Sequence, residues 1–390
     1  MERECARRTF LRYRQDALAA CGAILALHHR EPLAMLRLPL AASLGLALCS
    51  TAYASGTFIE IQSANVQLTQ VSPNGAYAVG SILNDSAFRW TALGGIQELI
   101  PDMDNAQGIN NLGTIAGSVA ENGGADEGGR DLGATVAVGA APVLLSNPLT
   151  TNSSGYGISE DGTVVGLSFE DNFEGTAIAF AWDAASGMSA LPTLRPQTYS
   201  RANAISADGH VIVGWNDTDM GERLGTIWID RVPMDVADAD GYGTGEAMAV
   251  TSDGQWVVGS EYIDGDFNEG AWRWSASTGV ELIPDMTYAF GVSADGKTII
   301  GATGFFTEPA RTAMIWREGI GTIPFADFLV EQGITVPPGW DFAGGLTGIS
   351  ADGYTLAGWG TGPLGMQSYI VQLDRPDVIF QDAFESPIVP

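Results

Sequence analysis

The chain has 390 residues, of which 50 are glycine and only 16% are charged, a composition that favours many short strands joined by tight turns. Residues 1–54 hold seven of the 18 Lys and Arg and four of the 46 Asp and Glu, which leaves 11 basic against 42 acidic residues and a formal charge of −31 in the remainder. Such a surface repels phosphate backbones and anionic lipids, so we expect no nucleic-acid binding and no membrane insertion. All three cysteines precede residue 55 and only His210 follows it, which excludes a cysteine–histidine metal site and a catalytic cysteine from the remainder.

The first 54 residues have the features of an export signal. A short positive segment begins at Met35, an apolar run covers residues 38–48, and Ala52-Tyr53-Ala54 has the small-x-small pattern of a cleavage site. Together they predict a Sec signal peptide cut after Ala54, with an extended N-terminal region or a true start at Met35. The apolar run is too short to span a bilayer. We therefore expect a protein that is secreted, either to the periplasm or to the cell exterior.

One short pattern recurs seven times in the rest of the chain. Each copy has a β-branched residue, a turn that ends in glycine, a short apolar strand and a second glycine. Ser, Thr and Asp side chains hydrogen-bond the backbone of tight turns and glycine supplies a positive φ, so each copy predicts a β-hairpin. The turn glycines are 38, 49, 47, 45, 42 and 57 residues apart, and spacing of about 40–50 residues is typical of propeller blades. The turns lie at residues 71–75, 109–113, 158–162, 205–209, 250–254, 292–296 and 349–353.

Two further strands complete each repeat. The third usually ends in tryptophan, and the fourth is clearest in residues 98–103, whose six residues recur as residues 281–286. Four strands in seven units predict an all-β, seven-bladed β-propeller over residues 55–374. A strand glycine suggests a bulge or a close backbone approach, so we expect one at the second glycine of each copy.

The two ends of the repeat array also carry predictions. The last unit lacks a fourth strand, and residues 57–61 lie upstream of the first repeat, where such a strand belongs. We expect this N-terminal strand to close the last blade, because closure leaves no long unpaired edge. Residues 325–333 predict a two-turn helix before the seventh repeat.

The repeats resemble the HAF repeats, a family of probable extracellular repeats whose unit has the form A-x-G-I-S/N-x-D-G-x-x-V-G followed by a tryptophan strand. The short helix and the Gly-Trp at residues 339–340 resemble that family too. The resemblance covers about residues 65–373 and implies a secreted β-propeller without established catalytic residues. Residues 375–390 are expected to form a C-terminal tail, and part of it resembles the I-F-x-x-G-F-E ending of some exported proteins.

Two tryptophans are the best candidates for ligand contact. Trp215 and Trp359 directly follow the second glycine of their repeats, where most other copies have Ser or Ala, so we expect them to head loops between the second and third strands. Asp217 and Asp219 follow in one of these loops. We predict that these four residues contribute to binding. The recurring tryptophans at the ends of the third strands are instead expected to pack between blades, with sugar stacking as the alternative. The recurring Ser/Thr-x-Asp-Gly turns are predicted to be structural, because one active site does not need seven copies.

Acidic loops raise the question of calcium. Asp238 and Asp240, and also Asp264 and Asp266, place hard oxygen ligands at alternating positions, a pattern that suits Ca²⁺. Solvated acidic loops are the preferred interpretation, so we expect no cofactor, with Ca²⁺ as the alternative. A thermal melt with and without EDTA separates the two, because a calcium site would be lost in EDTA and the midpoint would fall.

The sequence therefore predicts a non-enzymatic propeller that acts as a binding or structural scaffold. Its expected partner is an extracellular protein or polysaccharide, and the propeller is expected to be a monomer. One alternative is an extracellular carbohydrate-active hydrolase or lyase with a pair of carboxylates at the central channel. Another is a surface or adhesion repeat stabilised by calcium. A convergent cluster of carboxylates and basic residues in the channel would favour the enzyme.

Overall fold

The structure, a computed structural model, describes residues 56–83, 85–124, 129–170, 176–196, 198–237, 244–263, 268–304 and 311–375, with side chains left out at 261–263 and 268–269. The predicted signal peptide, which ends at Ala54, and residues 376–390 of the predicted tail lie outside the described residues. In the described part no helix is long and apolar enough to cross a membrane.

Twenty-eight strands form seven four-stranded antiparallel sheets, or blades. Blade 1 comprises β2 (Val66–Val71), β3 (Tyr77–Ile82), β4 (Ser86–Thr91) and β5 (Gly95–Ile100). Blade 2 comprises β6 (Asn105–Ile109), β7 (Ile115–Glu121), β8 (Arg130–Val136) and β9 (Val143–Leu144). Blade 3 comprises β10 (Asn152–Ile158), β11 (Val164–Phe169), β12 (Ala177–Asp183) and β13 (Gly187–Ala190). Blade 4 comprises β14 (Ser200–Ile205), β15 (Val211–Asp217), β16 (Arg223–Ile229) and β17 (Val232–Asp235). Blade 5 comprises β18 (Glu246–Val250), β19 (Val257–Ile263), β20 (Asn268–Ser275) and β21 (Gly279–Ile283). Blade 6 comprises β22 (Tyr288–Val292), β23 (Thr298–Thr303), β24 (Thr312–Arg317) and β25 (Gly321–Pro324). Blade 7 comprises β26 (Asp341–Ile349), β27 (Thr355–Gly362), β28 (Gly365–Leu373) and β1 (Gly56–Glu60).

The seven blades close into a ring, which confirms the predicted β-propeller. The first strand of each blade, here called the inner strand, contacts the inner strands of both neighbouring blades, and β2 meets β26. In six blades the order of the strands in the sheet follows the chain, whereas blade 7 takes β1 as its outer strand. The inner strands therefore surround a central axis, and the outer strands lie at the rim.

The N-terminal strand closes blade 7 as predicted. β1 runs antiparallel to β28 with Gly56 opposite Leu373 and Glu60 opposite Tyr369. Phe58 stacks on Tyr369 with ring centroids 5.3 Å apart. The predicted helix is present as α1 (Phe325–Glu331), whose Phe325, Phe328 and Leu329 are buried against this blade.

Each repeat turn is built by its own side chains, as blade 4 illustrates. The Ser206 hydroxyl donates to Asp208 Oδ1 at 2.6 Å, and the same carboxylate oxygen accepts the His210 N–H at 3.1 Å. Gly209 has φ +79°, a conformation that residues with a Cβ adopt at a cost. The turns are thus structural elements, in agreement with the sequence prediction.

The second glycine of each repeat faces a bulge. In every blade the register between the first and second strands shifts by one residue at the middle of the inner strand. A Cβ on the facing glycine would lie 1.8–2.5 Å from an inner-strand carbonyl oxygen in all seven copies. Only glycine fits such an approach, so the bulge explains the repeated glycine. These glycines are Gly80, Gly117, Gly166, Gly214, Gly259, Gly301 and Gly358.

Tryptophans pack between neighbouring blades. Trp228 at the end of β16 is fully buried against Val165 and Ala179 of blade 3. Its indole N–H donates to the Pro192 carbonyl at 2.7 Å. In blade 5 the fully buried tryptophan is Trp272, which packs against blade 4, and the strand-ending Trp274 is partly buried against the same cluster. The expected packing role of the third-strand tryptophans is therefore confirmed for these blades.

Candidate binding site in the axial channel

The inner strands enclose a cavity along the axis of the ring. The cavity has a volume of about 370 Å³ and is lined by residues from all seven blades. One end lies at the Ser/Thr-x-Asp-Gly turns and is called the turn end. The opposite end, where the inner strands begin, is called the mouth end. Cavities of about 300–1,000 Å³ with a few polar groups are typical of sites for small ligands or side chains.

One residue of each blade enters the cavity from the bulge. Because a bulge leaves one residue of the inner strand unpaired, it re-aims that side chain out of the sheet. All seven of these bulge residues line the cavity. They are Thr69, Gln107, Tyr156, Asn203, Met248, Phe290 and Thr347.

The bulge residues were missed by the sequence analysis, although a signal was present. In six of the seven copies the bulge residue stands between two small or aliphatic residues, as Asn203 stands between Ala202 and Ala204, whereas Thr69 is followed by Gln70. The flanking positions repeat because they pack, whereas the bulge position differs in nearly every copy. Variation at a single position inside an otherwise regular repeat indicates a surface that is used for recognition rather than for folding.

A charged cluster lies at the mouth end between blades 4 and 5. Arg201 donates to Asn203 Oδ1 at 2.7 Å and also to Glu246. Glu246, which is 5% exposed, accepts a second bond from Arg223 at 3.1 Å. The Arg201 guanidinium lies 5.3 Å from the ring centroid of Tyr156 in blade 3. These contacts hold Arg201 in one orientation at the cavity wall.

A second arginine reaches the cavity from blade 6. Arg311 directly precedes β24 and is only 5% exposed. Its guanidinium lies 5.9 Å from the ring centroid of Phe290, which itself stacks on Tyr288 at 5.8 Å. Each of the two arginines that line the cavity in the described residues therefore lies beside an aromatic bulge residue. Arg201 lies beside Tyr156 of blade 3, and Arg311 lies beside Phe290 of blade 6.

The mouth end is partly desolvated. Burial raises the pKa of Tyr156, and the positive charge of Arg201 only partly opposes the shift. Burial also raises the pKa of Asp217, against the charge of Arg223, and lowers the pKa of Arg311. In each case the largest cause is the removal of the group from water, a condition in which charged hydrogen bonds are strong.

The predicted binding residues occupy different environments. Trp215 and Trp359 lie within β15 and β27, so the expectation that they head loops is wrong, because both second strands continue beyond their glycine. Trp359 lines the cavity. Trp215 is 5% exposed and lies under Arg223, whose guanidinium is 4.4 Å from its ring centroid. Asp217 ends β15 and is buried, whereas Asp219 is exposed in the following loop. Their role in binding stays a prediction.

The calcium prediction falls outside the described residues. Asp238, Asp240, Asp264 and Asp266 all belong to segments that the structure leaves undescribed. Among the residues that are described, no group of three or more His, Cys, Asp or Glu side chains could hold a metal ion. The EDTA melt therefore remains the test of this prediction.

In the described part of the chain, the Glu160 carboxylate lines the channel and the Glu246 carboxylate lies beside its wall, and both are already engaged. Glu246 is shared by two arginines and by the Asn203 amide, which donates to it at 2.9 Å. Glu160, at the turn end of the cavity, accepts the Asn111 N–H at 2.9 Å. Hydrolysis by two carboxylates requires an acid and a base or nucleophile that face one reacting group. The two glutamates lie at opposite ends of the channel, so they do not form such a pair.

The comparisons with known proteins define the fold and nothing finer. No family model and no curated protein matches the chain. Solved structures match with low sequence identity. The propeller domain of the Trilobed protease from Pyrococcus furiosus has a TM-score of 0.52 and 11% identity, with 79% of this chain and 95% of that chain covered. It is described as having an open velcro topology, whereas β1 closes the ring here.

Two further structures support the same fold. The propeller domain of Cps50 (Swd1) from Myceliophteria thermophila has a TM-score of 0.51 and 10% identity, with 80% of this chain and 98% of that chain covered. The RRP9 WD40 repeats have a TM-score of 0.50 and 11% identity, with 81% and 97% covered. The chain is thus a β-propeller repeat protein, and its resemblance to the HAF repeats stays a prediction.

Proposed function

We propose that this chain is an exported, non-enzymatic propeller that binds an extracellular protein or glycan at the mouth end of its axial channel. The observation that carries the proposal is the set of seven bulges, which direct side chains of six different types into one cavity. A scaffold that repeats its folding residues and varies its cavity residues is suited to recognise one ligand. Preformed cavities on rigid strands hold such side chains with little conformational freedom.

The engaged state of the channel carboxylates supports binding rather than catalysis. Glu246 lies between Arg201 and Arg223, so proton transfer from it would break two ion pairs. A general acid needs a proton at working pH and a general base needs an open lone pair. An anchored carboxylate between two guanidinium groups is better suited to fixing the arginines in place.

Export is the second part of the proposal. The predicted signal peptide and the absence of cysteine after residue 54 suit a compartment outside the cytoplasm. Expression of the full chain in a bacterial host, followed by N-terminal sequencing of the exported protein, is expected to give Ser55 as the first residue. Retention in the cytoplasm with an intact N-terminus would contradict this part.

Binding is tested with peptide and glycan arrays probed with the chain from residue 55. We expect signal on one array class, and we expect Phe290→Ala to reduce it about tenfold or more, because truncation of a central aromatic contact commonly costs 2 kcal/mol or more. Leu282→Ala is the matched control, since Leu282 is 57% exposed on the outer strand β21. Its binding should stay within about twofold of the unmodified chain.

Three results would count against the binding proposal. Both arrays are probed at high protein concentration, and the absence of signal on both contradicts the binding proposal. Equal loss in the Phe290 and Leu282 variants would mean that the rim rather than the channel binds. Turnover of an array glycan, detected as released sugar, would favour the carbohydrate-active alternative.

A further inference from the structure

The charged residues of the axial cavity are unevenly distributed. Among the residues that the structure describes, those that line it are Glu160, Arg201 and Arg311. Glu160 belongs to a turn at the turn end, whereas Arg201 begins an inner strand and Arg311 precedes a third strand that runs in the same direction. Both arginines consequently lie toward the mouth end. In a protein with a strongly acidic exterior, this concentration of guanidinium groups needs a reason.

The two arginines are fixed by aromatic rings. Arg201 lies 5.3 Å from the Tyr156 centroid, and Arg311 lies 5.9 Å from the Phe290 centroid. A guanidinium beside a ring face keeps its N–H groups at its edge, where they can donate to a planar acceptor. It carries five such donors, so the contacts of Arg201 with Asn203 and Glu246 leave donors for a ligand.

The neighbouring carboxylates do not serve Arg201 alone. Glu246 also pairs with Arg223, and Asp217 faces Arg223 across β15 and β16. Burial opposes ionisation of Asp217 and raises its pKa. Arg201 therefore competes with Arg223 for Glu246, and a ligand carboxylate at the cavity wall would meet a guanidinium that is only partly compensated.

The rest of the lining restricts the ligand further. Phe290, which lies beside Arg311, and Trp359 provide apolar surface in the same cavity. Its volume of about 370 Å³ admits a group of the size of one aromatic residue. The formal charge of −31 over residues 55–390 repels polyanions over a Debye length of about 8–10 Å. Among anionic ligands, one with a single carboxylate on an uncharged body is repelled least.

We propose that the mouth half of the axial cavity is a binding site for a single carboxylate carried on an aromatic or apolar group. Arg201 and Arg311 bind the carboxylate, and the apolar group packs against Phe290 and Trp359. This inference rests on the proposed function and names the chemistry of its ligand. Two sources share that chemistry, a free organic acid and the C-terminal residue of a polypeptide.

Matched ligands test the carboxylate directly. Isothermal titration calorimetry measures the affinity of N-acetylphenylalanine and of its neutral amide. It also measures the affinity of a tetrapeptide that ends in phenylalanine and of the same tetrapeptide with an amidated C-terminus. We expect each free acid to bind about tenfold or more tightly than its amide, since charge-assisted bonds contribute about 1.5–3 kcal/mol and 1.4 kcal/mol is tenfold. A tetrapeptide that binds more tightly than the amino acid identifies a polypeptide end as the source, and the reverse identifies a free acid.

Variants separate the charge from the apolar contact. Arg201→Gln and Arg311→Gln should each weaken binding of the acid and leave binding of the amide unchanged, which is a comparison within one folded protein. Phe290→Ala should weaken both ligands equally. Arg273→Gln is the matched control, because Arg273 also lies beside aromatic rings, 4.9 Å from Trp256 and 4.7 Å from Trp316, and pairs with Glu281. It does not line the cavity, so its acid-to-amide ratio should stay within about twofold.

Several outcomes would overturn the inference. Equal affinity of acid and amide would do so, as would an acid-to-amide ratio that neither arginine variant changes. Tighter binding of glucuronate than of N-acetylphenylalanine would show that the apolar contact is wrong. Failure of all four ligands at millimolar concentration also overturns it, and the array experiment then decides separately whether the channel binds a ligand of other chemistry.

Discussion

The seven inner strands differ sharply between their turn end and their bulges. At the turn end the residues repeat, and neighbouring turns are joined by hydrogen bonds of 2.7–2.9 Å at six of the seven blade junctions in the described chain. Ala207 N–H, for example, donates to the Ser252 carbonyl, and the Ala207 carbonyl accepts the Glu160 N–H. A few residues further toward the mouth end, the bulge positions share a backbone conformation and almost no side-chain chemistry.

The contrast separates two demands on one repeat. A turn must reverse the chain and bond to the next turn, so similar polar side chains recur. Six copies have Ser or Thr followed two residues later by Asp or Asn, and Asn110 bonds the turn backbone in the second copy. A bulge requires only that a glycine face it, which leaves its own side chain free to vary. Repetition therefore marks the residues that hold the ring together, and variation marks the residues that line the channel.

The largest effect is expected from opening the ring. Deletion of residues 55–64 removes β1, its pairing with β28 and the Phe58 contact with Tyr369. The outer edge of blade 7 and its aromatic core would then face water, so we expect loss of the cooperative thermal transition measured by circular dichroism. Both ends of the channel should lose their order together.

Point variants grade this prediction. Phe58→Ala should lower the free energy of unfolding by about 3 kcal/mol, because a partly buried aromatic side chain leaves a cavity. Thr57→Ala is the control, since Thr57 is exposed on the same strand, and should change it by less than about 0.5 kcal/mol. A deletion variant that melts like the intact chain would show that closure by β1 is dispensable.

Two glycines of one repeat compare the bulge with the turn. A Cβ on Gly214 would lie 1.9 Å from the Arg201 carbonyl oxygen, whereas a Cβ on Gly209 has no atom within 4 Å. Gly214→Ala should therefore destabilise by about 3 kcal/mol through backbone displacement. Gly209→Ala should lose about 1 kcal/mol, because only the positive φ is unfavourable. Urea unfolding measures both, and a larger loss at Gly209 would reverse the assigned roles.

Most of the fold could be predicted from the sequence because the same turn and strand patterns recur in several copies of the repeat. Taken alone, the turn at residues 205–209 is ambiguous, because Ser206, Asp208 and the following His210 resemble a functional site on a loop. Its six relatives identify a hairpin. The identical residues 98–103 and 281–286 mark the fourth strand, although the strands themselves end at Ile100 and Ile283.

The site could not be predicted in the same way. The prediction that Trp215 and Trp359 lie in loops is wrong because the turn pattern does not determine how long the second strand is. The bulge that turns Tyr156 and Phe290 inward is a consequence of strand pairing, which the sequence shows only as a glycine on the facing strand. Arg311 belongs to no residue of the repeat pattern, and the pairing of β22, β23 and β24 within blade 6 brings it beside Phe290.

Removal of the turn hydroxyl is expected to have a moderate effect that depends on pH. The Ser206 hydroxyl lowers the pKa of Asp208, so the ionised turn contributes stability above about pH 4 and loses it as pH falls through the folded pKa. Ser206→Ala should destabilise by about 1 kcal/mol at pH 7 and by less at pH 3. Urea midpoints at both pH values measure this. Thr57→Ala, which removes an exposed hydroxyl on β1, is the control and should have the same small effect at both pH values. Equal losses at both pH values in Ser206→Ala would contradict the role of the carboxylate.

The smallest effect is expected at His210, which tests whether the turn end has any chemistry of its own. Its imidazole bonds Asp230, and this contact raises its pKa, although both side chains are about two-thirds exposed. A raised folded pKa gives a contribution that is complete below about pH 6.5 and lost as pH rises through the folded value. Exposed pairs contribute little, so the melting midpoint of His210→Ala should stay within about 1 °C of the unmodified chain at pH 5.5 and coincide with it at pH 9. Asp230→Asn should behave alike. If His210→Ala instead abolished array binding, the ligand would have to contact the turn end, and the division between a repeated structural end and a variable binding end would fail.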